Sequence, residues 1–188
     1  LISRWTRRPV FVEIEPEQVV VETIDQLVYI TTGSEKFKLL YNLIVGRGLS
    51  RVLVFCNRRD QVRRLQEQLE DYGLKTEILS GEVPQKKRLQ TLEGFRDGRV
   101  RVLIATDVAS RGIHVEEISH VVNFNLPFEA DDYVHRIGRT GRAGQAGISV
   151  SFACDDDAFQ IPDIEKYIGR ELACREPEED LLKPLPPR

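Results

Sequence analysis

Short apolar runs and helical patterns alternate through the chain from residue 34 to residue 168, and that alternation limits the folds open to it. Val52-Leu53-Val54-Phe55 is apolar at every position and flanked by polar residues, which predicts a strand buried on both faces. Further strands are expected at 76–79, 100–105, 120–124 and 148–153, after an earlier β-rich run at 23–31. Ser34 is placed to cap a helix that turns Phe37, Leu39, Leu40, Leu43 and Ile44 inward and closes at Gly46 and Gly48. A second helix, 60–72, lines up Val62, Leu65 and Leu69 and stops at Gly73, and a third is opened by Pro84 and reaches about Phe95. Shorter helices are expected at 131–137 and 157–168. Helices long enough for right-handed crossovers between strands give an α/β fold, a parallel sheet flanked by helices on both faces. Ligands of such sheets sit outside the carboxyl ends of the strands, so the turns after Phe55, Leu79, Ala105 and Phe124 are where chemistry is expected.

The two ends read differently. Residues 1–8 resemble a helix end stopped by Pro9, with a short β-like piece at 10–14 and a connector at Pro16. Residues 1–18 are therefore expected to be the exit from something upstream, residues 19–175 a domain, and residues 176–188 a flexible tail. That tail holds Pro177, Pro184, Pro186 and Pro187 and is expected to join no helix or sheet. The chain has no methionine, consistent with a portion of a longer product. No apolar run is long enough to span a bilayer and no signal sequence opens the chain, so a cytoplasmic location without membrane contact is expected. Cys56, Cys154 and Cys174 have neither metal-ligand nor redox spacing and are expected to be reduced, mostly buried thiols. No metal site is assigned to this chain.

A net charge of −3 would by itself argue against a nucleic-acid partner. Its distribution argues otherwise, because residues 151–188 carry 5 basic and 10 acidic side chains while residues 51–150 carry 16 and 14. The basic residues of that middle cluster as Arg58, Arg59, Arg63 and Arg64, as Lys86, Lys87 and Arg88, and as Arg136, Arg139 and Arg142. Clusters of this kind are commonly solvated helix faces, the reading favoured for Arg63 and Arg64.

The octet His135-Arg136-Ile137-Gly138-Arg139-Thr140-Gly141-Arg142 is more specific. It presents three arginines at a spacing of three, with glycines that permit tight backbone turns. Guanidinium groups fork onto phosphate oxygens and never titrate away, so they can meet the charge that develops on a transferring phosphoryl group.

The octet resembles motif VI of the DEAD-box RNA helicases of superfamily 2, and other motifs follow in that family's order. Thr106-Asp107-Val108-Ala109-Ser110-Arg111-Gly112-Ile113 resembles motif V, and Gln85-Lys86-Lys87-Arg88 after Gly81 resembles the Q-x-x-R motif. Phe95-Arg96-Asp97-Gly98 resembles the short motif that follows, Val52 to Phe55 resembles motif IV, and Val122 to Pro127 the strand that ends before motif VI. The resemblance covers at least residues 10–170. Neither a Gly-x-x-x-x-Gly-Lys-[Ser/Thr] phosphate loop nor an Asp-Glu-Ala-Asp segment is present. The resemblance therefore implies the second RecA-like domain of a helicase, with ATP and Mg²⁺ bound mainly by the first.

Site roles follow by resemblance. Arg139 and Arg142 are implied as arginine fingers for the γ-phosphate of ATP, and Arg111, His135 and Arg136 as groups that hold the inter-domain interface or the motif itself. Asn57, Arg58, Gly81, Gln85, Arg88 and Thr106 are implied contacts to the RNA backbone, which carry no sequence information. Arg58 stands where the family usually has a threonine. His114 stands where it has an aspartate associated with the ribose, so His114 is a candidate nucleotide contact or a structural turn residue, and His120 is expected to be structural. His114, the 81–88 run and Tyr167-Ile168-Gly169-Arg170-Glu171 resemble the bacterial RhlB-type branch of the family. That branch implies single-stranded and duplex RNA as substrates, the first RecA-like domain as intramolecular partner, and ribonuclease E as partner in RNA degradation. Two function classes follow. One is an enzyme half that clamps RNA and supplies arginine fingers; the other is a catalytically silent module that binds RNA and docks ribonuclease E. A DNA translocase of the same superfamily is disfavoured by the wording of motif VI and the small size of the domain.

Overall fold

A computed structural model describes residues 23–79, 83–110, 118–141 and 146–187. In chain order the elements are β1 (Ile24–Ile30), α1 (Lys36–Gly46), β2 (Val52–Phe55), α2 (Arg59–Asp71), β3 (Thr76–Leu79), α3 (Gln85–Arg96), β4 (Val102–Ala105) and the one-turn α4 (Asp107–Ser110). Then come β5 (His120–Asn123), α5 (Ala130–Ile137), β6 (Gly147–Ala153), a 3₁₀ turn (Ala158–Gln160), α6 (Ile161–Ile168), β7 (Ala173–Arg175) and a last 3₁₀ turn (Glu179–Leu182). The strands form one sheet in the order β3-β4-β2-β5-β6-β1-β7, and every ladder is parallel. This is the expected α/β architecture. None of the described helices is long and apolar enough to cross a membrane.

Period-two alternation sorts the core into two faces. Val52, Val54, Val102, Ile104, Val122, Val150 and Phe152 pack with α1 and α2, burying Leu39, Leu40, Ile44, Val62, Leu65 and Leu69. The alternate positions Leu53, Phe55, Leu103, Ala105 and Val121 meet Phe95 of α3 and Ala109 of α4. Farther along that face, Ile24 and Val28 of β1 meet Tyr133, Val134 and Ile137 of α5 and Ile164 of α6. All four residues of β2 and of β4 are fully buried, which explains why both read as unbroken apolar runs.

Ser34 does not cap α1. The backbone N–H of Glu35 bonds the Thr32 carbonyl at 3.0 Å in a tight turn, the Thr32 hydroxyl donates to the Glu35 carboxylate at 2.9 Å, and the helix begins at Lys36. At the amino edge of the sheet the turn after α5 lies directly on β6. Gly141 has φ +71°, and a Cβ on Gly147 would lie 2.6 Å from the Gly141 nitrogen, so neither position accepts a side chain.

The segment expected to be a flexible tail is packed against the domain. β7 adds to β1 through Leu27–Ala173, Val28–Cys174 and Tyr29–Arg175, and the chain then folds back over α1. Leu181 is buried in the core, and the Asn42 side chain donates to the carbonyls of Leu181 and Lys183, both at 2.9 Å. The Tyr29 hydroxyl donates to Glu178 at 2.6 Å, and Arg47 pairs with Asp180 at 3.1 Å. The prolines exclude a helix or a long strand, but a turn anchored by one leucine and two donated hydrogen bonds needs neither. Leu181→Ala is expected to cost about 2–5 kcal/mol of unfolding free energy. Urea unfolding of the variant checks this, since a loose tail would leave the midpoint unchanged.

Candidate functional site

β4, β2 and β5 lie side by side, and the chain crosses over β2 in passing from β4 to β5. In an open parallel sheet such a crossing leaves a crevice at the carboxyl ends, the ordinary place for a ligand. Here a side chain of the protein fills it. Arg136, from the last turn of α5, is 1% exposed. Its guanidinium forks onto Asp107, Nε to Oδ1 at 2.6 Å and Nη2 to Oδ2 at 2.7 Å. Nη2 also donates to Asn57 Oδ1 at 2.8 Å, and Nη1 donates to the Asn125 carbonyl at 2.8 Å and to Asn123 Oδ1 at 3.3 Å. The guanidinium carbon lies 5.2 Å from the centre of the Phe55 ring. A single group thus ties the ends of β2, β4 and β5 to α5, and only a planar fork with five donors could reach so many acceptors. Next to it, burial pushes the Cys56 thiol up to about 12 against the opposing pull of the Arg136 and Lys36 charges, so Cys56 is an inert core thiol.

A second buried ion pair braces the neighbouring strand ends. Lys36 Nζ meets Asp157 Oδ2 at 2.8 Å with both side chains buried. Asp157 also accepts the backbone N–H of Leu126 at 3.2 Å and of Cys154 at 2.8 Å. The Asn57 amide completes the brace by donating to the Leu126 carbonyl at 2.9 Å. The loops after β2, β5 and β6 are therefore held by charge-assisted bonds that start from buried groups.

The expected site residues divide into three groups. In the first, Arg136 holds the motif itself, one of the two roles expected for it, and Asn57, half-buried, has its amide engaged by Arg136 and by the Leu126 carbonyl. For Arg136 this follows from burial: each polar atom that leaves water must find a partner, and Asn57 is one of those it finds. The second group lies at the surface. Arg58 stands just before α2, its Nε 3.0 Å from Asp60 and its side chain 73% exposed. Gln85 opens α3 and is exposed. Arg88 is half-buried and donates to the Ala109 carbonyl, while Thr106, unlike the others in this group, is buried, joins β4 to α4 and accepts the N–H groups of Ala109 and Ser110 at its carbonyl. His135 is exposed, with Nδ1 3.8 Å from Asp132, and the half-buried Arg139 donates from Nε to the His135 carbonyl at 3.2 Å. The third group, Gly81, Arg111, His114 and Arg142, lies outside the described residues.

Arg58, Gln85 and Thr106 follow the carboxyl ends of the adjacent strands β2, β3 and β4. Arg139 belongs to a different place. Thr140 beside it donates to the Ile118 carbonyl at 2.6 Å and Gly141 rests on Gly147, so this turn lies against the amino ends of β5 and β6 on the face covered by α5. The octet's arginines therefore separate, Arg136 turning back to the rim and Arg139 staying on the face. Sequence reasoning passed over Asp107, Asn123, Lys36 and Asp157. Asp107 and Asn123 lie within the motif runs quoted above, but nothing there marks them as partners of Arg136, and no signal marks Lys36 or Asp157, which come from remote parts of the chain. Asp131, Asp132 and His135 bring ligand atoms within 4.8 Å of one another, but Asp131 and Asp132 sit in the first turn of α5, where carboxylates are favoured by the helix dipole.

Residues 35–144 match the family described as the helicase conserved C-terminal domain. The sequence is 57% identical over 186 residues to the ATP-dependent RNA helicase RhlB of Pseudomonas putida, an alignment covering 99% of this chain and 47% of that protein. It is 45% identical over 179 residues to RhlB of Shewanella amazonensis, covering 95% and 41%. The chain thus spans about half the length of these relatives. Its backbone matches E. coli DEAD-box protein SrmB, bound to regulator of ribonuclease activity A, with TM-score 0.79 at 36% identity, covering 88% of this chain and 98% of that one. It also matches S. cerevisiae Dbp5 bound to RNA and ADP BeF3, with TM-score 0.77 at 33% identity, covering 88% and 44%.

Proposed function

Since the chain belongs to the helicase conserved C-terminal domain family, as a RecA-like domain of the RhlB-type DEAD-box kind, we propose that it is the second half of an ATP-driven RNA clamp. Its carboxyl rim takes the backbone of single-stranded RNA through Arg58, Gln85, Arg88, Thr106 and Gly81. The α5 turn brings Arg139 and Arg142 to ATP held on the first RecA-like domain, with Arg111 and His135 at the inter-domain surface and His114 near the ribose. Closure of the two domains on ATP and RNA holds a single strand in a shape a duplex cannot follow, and hydrolysis releases it.

The observation that carries this reading is the way α4 is tied. Its first residue, Asp107, is forked by Arg136 of α5, and the carbonyl of its third residue, Ala109, accepts Arg88 of α3. A shift of α3 on RNA therefore reaches α5 through one rigid turn. The charges fit the assigned ligands. Arg58 and Arg139 offer guanidinium groups suited to phosphate oxygens, while Asp107 and Asp157 are engaged by Arg136 and Lys36 and leave Mg²⁺ to the other domain.

The test is ATP turnover. This chain alone is expected to show none, with or without RNA, and the chain joined to the first RecA-like domain is expected to show RNA-stimulated hydrolysis. Turnover by the chain alone would overturn the division of labour. The E. coli SrmB domain bound to a regulator of ribonuclease activity favours a second role, docking of a ribonuclease assembly, with ribonuclease E as the partner and RNA degradation in the cytoplasm as the setting.

A further inference from the structure

A groove of about 340 Å³ opens on the rim beside the Arg136 plug, between the loops that follow β2, β5 and β6 and the first turns of α2. Arg58 lies on its wall, so it continues directly from the proposed RNA path. Phe128 lines it with 67% of its surface exposed. Single exposed apolar residues are ordinary, but this one is carried by a braced loop. Two residues before it, the Leu126 N–H is held by Asp157 and the Leu126 carbonyl by Asn57, with the Leu126 side chain fully buried. The ring is thus presented to solvent by a fixed backbone at a place where parallel sheets bind ligands.

The lining chemistry selects the ligand. A phosphate pocket would be uniformly cationic, whereas here Arg58, paired with Asp60, and Arg64 stand with the carboxylates of Asp156 and Asp157 and the amides of Asn57, Gln61 and Asn125. Donors and acceptors mixed around one aromatic face suit the edge and face of a nucleobase, with the arginines beside it for the adjoining phosphate. We propose that this groove is a base-stacking subsite that holds one nucleobase of single-stranded RNA where the strand passes Arg58, with Phe128 as its platform. The proposal rests on the RNA reading above and extends it, since the contacts assigned there are to backbone. Stacking accepts every base, so the subsite lengthens the footprint without adding sequence preference.

The test uses the chain joined to the first RecA-like domain, with ADP and beryllium fluoride, and two labelled oligouridylates, one just filling the backbone contacts and one twice as long. The longer RNA is expected to bind more tightly, Phe128→Ala to weaken it about tenfold and leave the shorter one unchanged, and Phe128→Trp to keep the full affinity. Iodouridine in the longer RNA is expected to photo-crosslink to Phe128. Unchanged affinity for the longer RNA in Phe128→Ala, the result for a groove that takes a protein segment, overturns the subsite alone. Equal weakening for both RNAs also overturns it. Failure of either RNA to bind the unaltered protein overturns the RNA reading along with it.

Discussion

Arg142→Ala or Arg139→Ala, made in a protein that also carries the first RecA-like domain, is expected to lower RNA-stimulated ATP turnover by about a thousandfold or more while RNA affinity stays unchanged. A guanidinium delivered by a second domain meets charge that appears on the γ-phosphate only as the bond breaks, so its loss falls on turnover rather than on binding. Arg139 is half-buried, and its Nε donates to the His135 carbonyl one turn back. Steady-state ATPase and RNA titration measured side by side check the pair of expectations. Retained turnover would remove the finger role, and parallel loss of RNA binding would assign these arginines to the RNA path.

Arg136→Ala is expected to act in the opposite way, on the fold before the chemistry. It leaves the half-buried Asp107 without its forked partner and takes a donor from Asn57, from the fully buried Asn123 and from the Asn125 carbonyl. Breaking a buried pair by removing one member costs about 3–5 kcal/mol. In a domain of this size the melting temperature should fall by about 10 °C or more. Arg136→Lys should not restore it, because one ammonium cannot span a carboxylate, two amides and a carbonyl in one plane. Thermal melting of this chain by itself is sufficient, since the network is internal to it. A variant that melts like the parent yet loses activity would return Arg136 to the inter-domain surface.

These opposite outcomes for neighbouring arginines mark the limit of sequence reading at this site. Arg136, Arg139 and Arg142 are chemically identical and evenly spaced, and the octet alone gives each the same phosphate-binding chemistry. What separates Arg136 from Arg139 is that the first reaches the crevice between β2, β4 and β5 while the second donates to the His135 carbonyl beside its own turn. Asn57 shows the same ambiguity, since an amide after a strand serves equally as a ligand contact or as a brace until its neighbours are known. The docked 176–187 segment shows the limit in another form. Its prolines and acidic residues report how the backbone cannot fold, but the pockets that receive Leu181 and the carbonyls of Leu181 and Lys183 lie on α1, far away in sequence.

Local sequence was sufficient where the physics is local. Unbroken apolar runs gave the buried parallel strands, Pro84, Gly46 and Gly73 marked helix ends close to where they occur, and the ordered motifs identified the family. Tertiary structure alone decided which polar groups remain available to ligands. Folding brings Asp107, Asn57, Asn125 and Arg136 to one point and Lys36 to Asp157, and groups desolvated together must satisfy one another. Arg58 and Phe128 on the rim and Arg139 on the face of the sheet, to which the proposed ligand contacts are assigned, lie outside these two knots.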